Sequence, residues 1–374
     1  MLRVLDINLE LYKYVMTKNI LLSLFIITLF SCSKEEEINT TPMSAGAITG
    51  EYNPTYIIPK SFRTLIPMKN PSYNLMTTEG VRLGKKLYTN PVLGTNGLSC
   101  SSCHINEYSY SIPMMGPSGL AVLTHQNLGW YDSYGWFGEE GSTLDDVALA
   151  DLAEGNIFLN SNSDSILNRF NRDLDYQQLF WEAFGVKIVE LSVPERNQYT
   201  SYALAQFMRT MFSDNSKFDK YLRGEVSLTL SEINGFTIFM DGEKGDCFHC
   251  HGNPSNPLWT DGVFHNNALD SVFIGNNQGR FLISGNIFDM GKFRTPTLRN
   301  IELSAPYMHD NRFNTLEEVV DFYSENLNNS PYVDPLMQKI GQGGVHLTPP
   351  EKADLITFLK TLTDTSFINN PDLQ

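Results

Sequence analysis

The chain has 374 residues, with 27 basic side chains against 42 acidic ones and a formal net charge of −15. So acidic a surface repels polyanions, which argues against nucleic acid as a partner and toward a basic protein partner; a charge excess kept for solubility alone is the other reading. Five cysteines and seven histidines are few enough that their positions carry weight.

From the amino terminus, Asn19 to Phe30 form an apolar run preceded by Lys18 and ended by Leu29-Phe30-Ser31-Cys32, which resembles the lipobox of bacterial lipoproteins. The run is too short to span a bilayer comfortably and has the layout of a signal-peptide core. Residues 1–31 therefore read as a lipoprotein signal peptide, with Met16 as an alternative true start that leaves a short basic head. Cys32 is the expected lipidated residue, an uncleaved anchor with Cys32 free being the alternative. Either reading puts the folded part outside the cytoplasm, anchored to a membrane at the periplasmic face or the cell surface. Residues 32–60, an acidic Ser-Lys-Glu-Glu-Glu run followed by Thr, Pro, Gly and Asn, read as a flexible tether.

Beyond the tether the pattern is helical with long irregular loops. A helix is expected from about Thr78 to Leu87, and Ser231 is the expected cap of a helix leading to Cys247. Thr348-Pro-Pro-Glu351 is a capping box with proline at the first helical position, followed by Leu355, Ile356, Phe358, Leu359 and Leu362 at helical spacing. Few segments alternate as strands do, and residues 252–292 look irregular. About 310 residues follow the tether, enough for two domains.

Two strings stand out, Cys100-Ser-Ser-Cys103-His104 and Cys247-Phe-His-Cys250-His251. Each offers two thiols for thioether bonds to the vinyl groups of a haem, and a histidine to ligate its iron from one face. The rival reading closes Cys100, Cys103, Cys247 and Cys250 around one zinc ion or uses them as redox dithiols, but neither needs a histidine after both pairs. The haem reading also accounts for the cysteines: four attach two haems and the fifth is Cys32. A weak internal repeat accompanies the strings. Leu123-Thr-His-Gln-Asn127 with Ser142-Thr-Leu-Asp-Asp-Val147 is echoed by Pro296-Thr-Leu-Arg-Asn300 with Asn314-Thr-Leu-Glu-Glu-Val319. The later member of each pair reads as a polar N-cap, an acidic third residue and an apolar stripe.

Leu83-Gly-Lys-Lys-Leu-Tyr88, the two haem strings, Pro257-Leu-Trp-Thr-Asp-Gly262, Phe264-His-Asn266 and Gly291-Lys-Phe-Arg-Thr-Pro-Thr-Leu-Arg-Asn300 resemble the bacterial dihaem cytochrome c peroxidases and the related methylamine-utilisation (MauG) enzymes. Ser304-Ala-Pro-Tyr-Met-His-Asp310 and Thr315-Leu-Glu-Glu-Val-Val-Asp-Phe-Tyr323 continue the resemblance, which covers about residues 60 to 365 and loosens between Ile105 and Asp164. It implies that His104 is the proximal ligand of a haem that reacts with H2O2, and His251 that of a haem that handles electrons.

For the opposite face of the first haem, Ile105 to Leu123 contains no histidine. His125 falls at the repeat position of the apolar Leu298, and Met114 and Met115 are soft donors that more often pack, so an open face is expected. At the second haem, Leu316, Val319, Val320 and Tyr323 share one helix face, and the resemblance puts Tyr323 at the distal-ligand position. A core tyrosine, with Met308 or nothing on the iron, is the alternative. Trp136 falls where the family places an aromatic between the haems, nine positions after Asn127 as His309 is nine after Asn300; a plain core tryptophan is the alternative. The resemblance also implies a glutamine after the Thr143-Leu-Asp-Asp146 element, where Val147 stands, and then an active-site glutamate that assists O–O cleavage as a general acid/base. In the region of that glutamate Asp164 is the available acid, for which a helix N-cap is the competing role. Family enzymes also hold a calcium ion between domains. Ser304 and Pro306 can offer carbonyls for it, but Ala121 stands where the asparagine would be.

The expectation is an all-α protein of two cytochrome c-like domains, each built around one covalently attached haem with long irregular loops. Residues 61–220 would carry the peroxidatic haem and residues 221–374 the electron-transfer haem. The expected activity is reduction of H2O2 with electrons from a small redox protein such as cytochrome c. Oxidation of a protein side chain and electron transfer without catalysis are the alternatives, and the resemblance leaves a homodimer open.

Overall fold

In the computed structural model the described residues are 67–374. The signal peptide, Cys32 and the tether lie outside them. Helices dominate, as expected. In chain order they are α1 Thr78–Thr89, α2 Leu144–Ala150, α3 Ser163–Arg172, α4 Leu174–Phe184, α5 Val193–Met208, α6 Lys217–Leu222, α7 Leu230–Met240, α8 Phe248–His251, α9 Phe281–Ser284, α10 Leu316–Glu325, α11 Pro349–Lys360 and α12 Thr365–Ile368. The named strands are two residues each, β1 Phe264–His265 and β2 Phe293–Arg294, paired antiparallel with Phe264 opposite Arg294. They pin together the two ends of the long loop between α8 and the Thr-Pro-Thr-Leu-Arg-Asn segment.

Local chemistry accounts for the helix starts. Thr143 and Thr315 each accept from the amide three residues on, while Asp146 and Glu318 reach back, so both repeat members carry capping boxes. Thr348 and Glu351 make the expected box, with Pro349 opening α11. Two caps differ from expectation. Helix α7 is capped by Thr229 boxed with Glu232, two residues before Ser231, whose hydroxyl instead donates to Asp354. Helix α3 is capped by Asn162, which accepts from Ser165 N, so Asp164 lies inside its first turn. In both cases the chain enters the helix two residues early, and the earlier polar residue takes the orphan amide.

Two helix pairs organise the core, and both cross at a glycine. A Cβ on Gly84 of α1 would lie 2.0 Å from Ala203 O of α5, and one on Gly235 of α7 would lie 1.9 Å from Asp354 O of α11. Backbone meets backbone at each crossing, which only a residue without a side chain permits. Around the first crossing gather Leu83, Leu87, Tyr88, Leu204 and Phe207, and around the second Ile238, Phe239, Leu355, Phe358 and Leu359. Phe207, Phe239 and Phe358 are fully buried, each contributing about 2–3 kcal/mol by area removed from water. Phe367 and Leu373, at the carboxy terminus, return to pack in the first cluster.

A buried polar seam joins the two clusters. Asn127 and Asn300 both adopt left-handed backbone and each opens a 3-10 turn. Asn300 donates to Gln126 Oε1 at 2.6 Å and to Ser213 Oγ at 3.0 Å, while Gln126 donates to Arg299 O at 2.8 Å. Arg299 in turn grips Asp219 through two bonds of 2.8 and 2.7 Å.

Candidate functional site

The first Cys-x-x-Cys-His string follows α1 as a 3-10 turn, Cys100–Ser102, with Ser99 and Ser102 capping each other reciprocally. The turn brings His104 back so that its Nδ1–H donates to Tyr110 O at 2.9 Å. That bond leaves the lone pair on Nε2, the atom a metal would use. Burial lowers His104 to about 4, outweighing the carbonyls of Tyr110 and Leu123, so the ring is neutral at neutral pH. Burial likewise pushes the Cys100 thiol up to about 12.

The second string forms α8 and repeats this arrangement. Burial lowers His251 to about 4 against the opposing influence of Asp261 and the carbonyls of Trp259 and Pro296, although its Nδ1 makes no hydrogen bond of normal geometry. Cys247 and Cys250 are both pushed up to about 12 by burial. A cavity opens beside them, walled by Phe239, Leu298, Leu316, Val320, Leu355 and Leu359, and lined also by Met308 and Tyr323. Tyr323 Oη accepts from Asn267 Nδ2 at 2.9 Å, and the same amide lies 3.8 Å from Met308 Sδ. Burial raises the Tyr323 phenol well above its ordinary value, partly opposed by Asn267. Asn267 follows a quoted motif but carried no signal of its own in the sequence. At the rim, burial would lower His265, but Asp261 and Asp334, bonded to its two nitrogens at 2.9 and 2.7 Å, together raise it.

The repeat is much closer in three dimensions than in letters. His104 faces the carbonyls of Tyr110 and Leu123, and His251 those of Trp259 and Pro296. Tyr110 and Trp259 both have positive φ, 58° and 53°. His125 N donates to Tyr110 O at 3.1 Å, and Leu298 N to Trp259 O at 3.1 Å. Tyr134 Oη donates to Leu128 O at 2.8 Å, and Tyr307 Oη to Ile301 O at 3.0 Å. The register that pairs His125 with Leu298 is therefore real, and it puts His125 beside the His104 imidazole. The two rings stack at 3.4 Å between centroids.

Continuing that register, Trp136 and His309 meet edge to face at 6.4 Å. Trp136 is buried and its Nε1 donates to Ala121 O at 2.7 Å, while Ala121 N donates to His309 O at 2.8 Å. Trp136 and His309 both line the second cavity, and Trp136 packs with Leu120 and Phe137 of the first half.

Asp164 is exposed on the first turn of α3, where its charge acts on Arg196. Two other acids are set apart by their surroundings, and one of them acts on the first string. Asp151, at the end of α2, is raised to about 7 by burial and acts on the charge of Cys100. Glu140 is raised to about 7 by burial, then by Asp151 and Glu139, with Arg294 opposing. No motif marks either in the sequence, because what sets them apart is lost solvation.

The donor set fits haem. Cys100 packs on the first hydrophobic cluster and Cys247 on the second, so the pairs do not close one zinc cage. A thioether sulfur, unlike the thiolates zinc requires, is neutral and suits an apolar setting. Each string combines two free thiols and a neutral imidazole facing backbone carbonyls, bonded to one at His104, and the second half adds an apolar cavity large enough to be walled by more than a dozen side chains.

Comparison with known proteins agrees. The profile of the family described as di-haem cytochrome c peroxidase matches residues 78–227. The chain is 29% identical to the methylamine utilization protein MauG of Methylophilus methylotrophus over 305 residues, covering 79% of this chain and 84% of that one. It is also 29% identical to the cytochrome c551 peroxidase of Nitrosomonas europaea over 297 residues, covering 75% and 79%. Among solved structures, a MauG-like protein associated with microbial copper homeostasis superposes with a TM-score of 0.74 at 32% identity, covering 87% of this chain and 99% of that one.

Proposed function

Because the chain belongs to the di-haem cytochrome c peroxidase and MauG family, we propose that it is a peroxidase that reduces H2O2 to water, taking two electrons from a small donor protein and two protons. The observation that carries this reading is the near-duplicate pair of histidine strings, one in each half, with Trp136 of the first half in edge-to-face contact with His309 of the second. Cys100 and Cys103 with His104, and Cys247 and Cys250 with His251, would hold two covalently attached haems. Haem supplies the iron at which the O–O bond is cleaved and through which electrons pass.

The chain's own residues do the rest. The carbonyls of Tyr110 and Leu123 orient His104, and those of Trp259 and Pro296 orient His251. Tyr323, held by Asn267 at the cavity beside the second string, would offer its phenol oxygen to the second iron. Asp151, with Glu140 beside it, holds a proton at its carboxyl up to about pH 7 and is the proposed acid/base in place of Asp164. Trp136 offers an aromatic step between the halves. Calcium is left out, since Ala121 O is already bonded to Trp136 and its side chain has no donor. Export and lipid attachment at Cys32 are proposed from the apolar run ending at Leu29-Phe30-Ser31-Cys32.

A second reading, oxidation of a protein side chain, is favoured by Tyr323 at the second cavity. One experiment separates the two. One equivalent of H2O2 is added to the resting diferric protein while the Soret band and oxidation of reduced cytochrome c are followed. Donor turnover supports the peroxidase. Fast reaction without turnover favours side-chain oxidation, and inertness in both redox states removes both.

A further inference from the structure

The two halves match closely around their histidines except at one pair of positions. In the second half, Leu298 occupies the register beside His251, and Phe239, four residues after the crossing Gly235, completes an apolar wall. In the first half the corresponding residues are His125 and Tyr88, the latter four residues after Gly84. They are not merely larger or more polar. Tyr88 Oη and His125 Nδ1 are 3.0 Å apart, and the His125 ring lies flat on His104, 3.4 Å between centroids and 17° between planes.

We propose that Tyr88 and His125 form a positioning pair that fixes the plane of the His104 imidazole and its donation to the first iron, a device the second half lacks. The inference rests on the haem reading of Cys100, Cys103 and His104 above. Tyr88 is 1% exposed and wedged against Phe207, which fixes its ring and points its hydroxyl at His125. The hydroxyl can give or take the hydrogen, so the pair is bonded in either tautomer of His125. A hydrogen-bonded ring stacked face to face resists rotation of His104 about its Cβ–Cγ bond. An aliphatic neighbour such as Leu298 has no plane and offers no such resistance. The orientation of an axial imidazole and the partners behind it set the strength of its donation, and outer partners of this kind tune metal centres measurably. The same asymmetry would let one sequence repeat build two centres of different character.

The test uses the full-length haem-loaded protein and three forms of it: the parent, Tyr88→Phe and His125→Leu, the last importing the residue of the second half. Intact mass counts the porphyrins, electron paramagnetic resonance reads each ferric centre, and a redox titration gives both midpoint potentials. The expected result is a shift of the resonance signature and potential of the first centre in both variants, in the same direction, with the second centre keeping its parent values. Two porphyrins in each variant with an unmoved first centre would overturn the proposal, as would equal shifts of both centres. A parent mass without porphyrin removes the haem reading itself, and this inference with it.

Discussion

Replacing Arg299 with methionine should be among the most damaging single changes in the molecule that alter no proposed haem contact. Arg299 is 0% exposed and Asp219 4%. The guanidinium gives Asp219 both of its forked bonds, 2.8 and 2.7 Å, and Arg299 Nε also donates to Pro257 O. Without it, Asp219 retains Ser216 N at 2.8 Å and Ser216 Oγ at 2.7 Å, too little for a buried carboxylate. Removing one partner of a buried pair costs about 3–5 kcal/mol, mostly from the charge left behind. Arg299→Met/Asp219→Asn removes that charge and keeps part of the α6 cap, so its loss should be well below the sum of the two single changes, about 1–2 kcal/mol. Burial alone would raise the Asp219 carboxyl, but Arg299 and Ser216 together hold it below the usual range. A depressed carboxyl contributes stability above its unfolded pKa, about 3.9, and loses it as pH falls through the lower folded value. The Arg299→Met deficit should therefore be full at pH 7 and shrink below about pH 4. Urea unfolding of the haem-loaded protein, followed by far-ultraviolet circular dichroism, measures all of this. A single variant within about 0.5 kcal/mol of the parent, or a double variant equal to the sum of the singles, would refute the reasoning.

Gly235→Ala should lower stability by about 2–3 kcal/mol or more, because the new Cβ meets Asp354 O at 1.9 Å and α7 and α11 must separate; Gly341→Ala, with nothing within 4 Å, is the near-neutral control in the same unfolding assay. Tyr323→Phe should alter the low-spin ferric spectrum of the second haem and strand the Asn267 amide; an unchanged spectrum rules out ligation by Tyr323. Asp151→Asn should slow the reaction with H2O2 at pH 6, where the parent carboxyl still holds its proton. A raised carboxyl loses its proton in the unfolded chain first, so the parent's stability should fall from about pH 4 to 7 through this group. The asparagine form should lack that part of the decline, and parallel stability profiles for the two proteins would count against a buried Asp151.

Much of the candidate site was legible in one dimension because a Cys-x-x-Cys-His string is made of contiguous residues. Cys100 to His104 and Cys247 to His251 each lie on one short turn, so the sequence by itself determined the two candidate strings, the echo that follows each of them and a mostly helical fold. The capping boxes at Thr143, Thr315 and Thr348 were equally readable, since a cap and its third residue are neighbours in the chain. Tertiary structure decided what depends on residues far apart. The Leu123 carbonyl behind His104 and the Pro296 carbonyl behind His251, the Asn267 bond to Tyr323, the meeting of Trp136 with His309 and the stack of His125 on His104 are contacts between separate segments of the chain. Asp151 could not be told from Asp164 by spelling, because an acid acquires its proton affinity from the water it loses, and how much water a side chain keeps is set by what the rest of the chain packs against it.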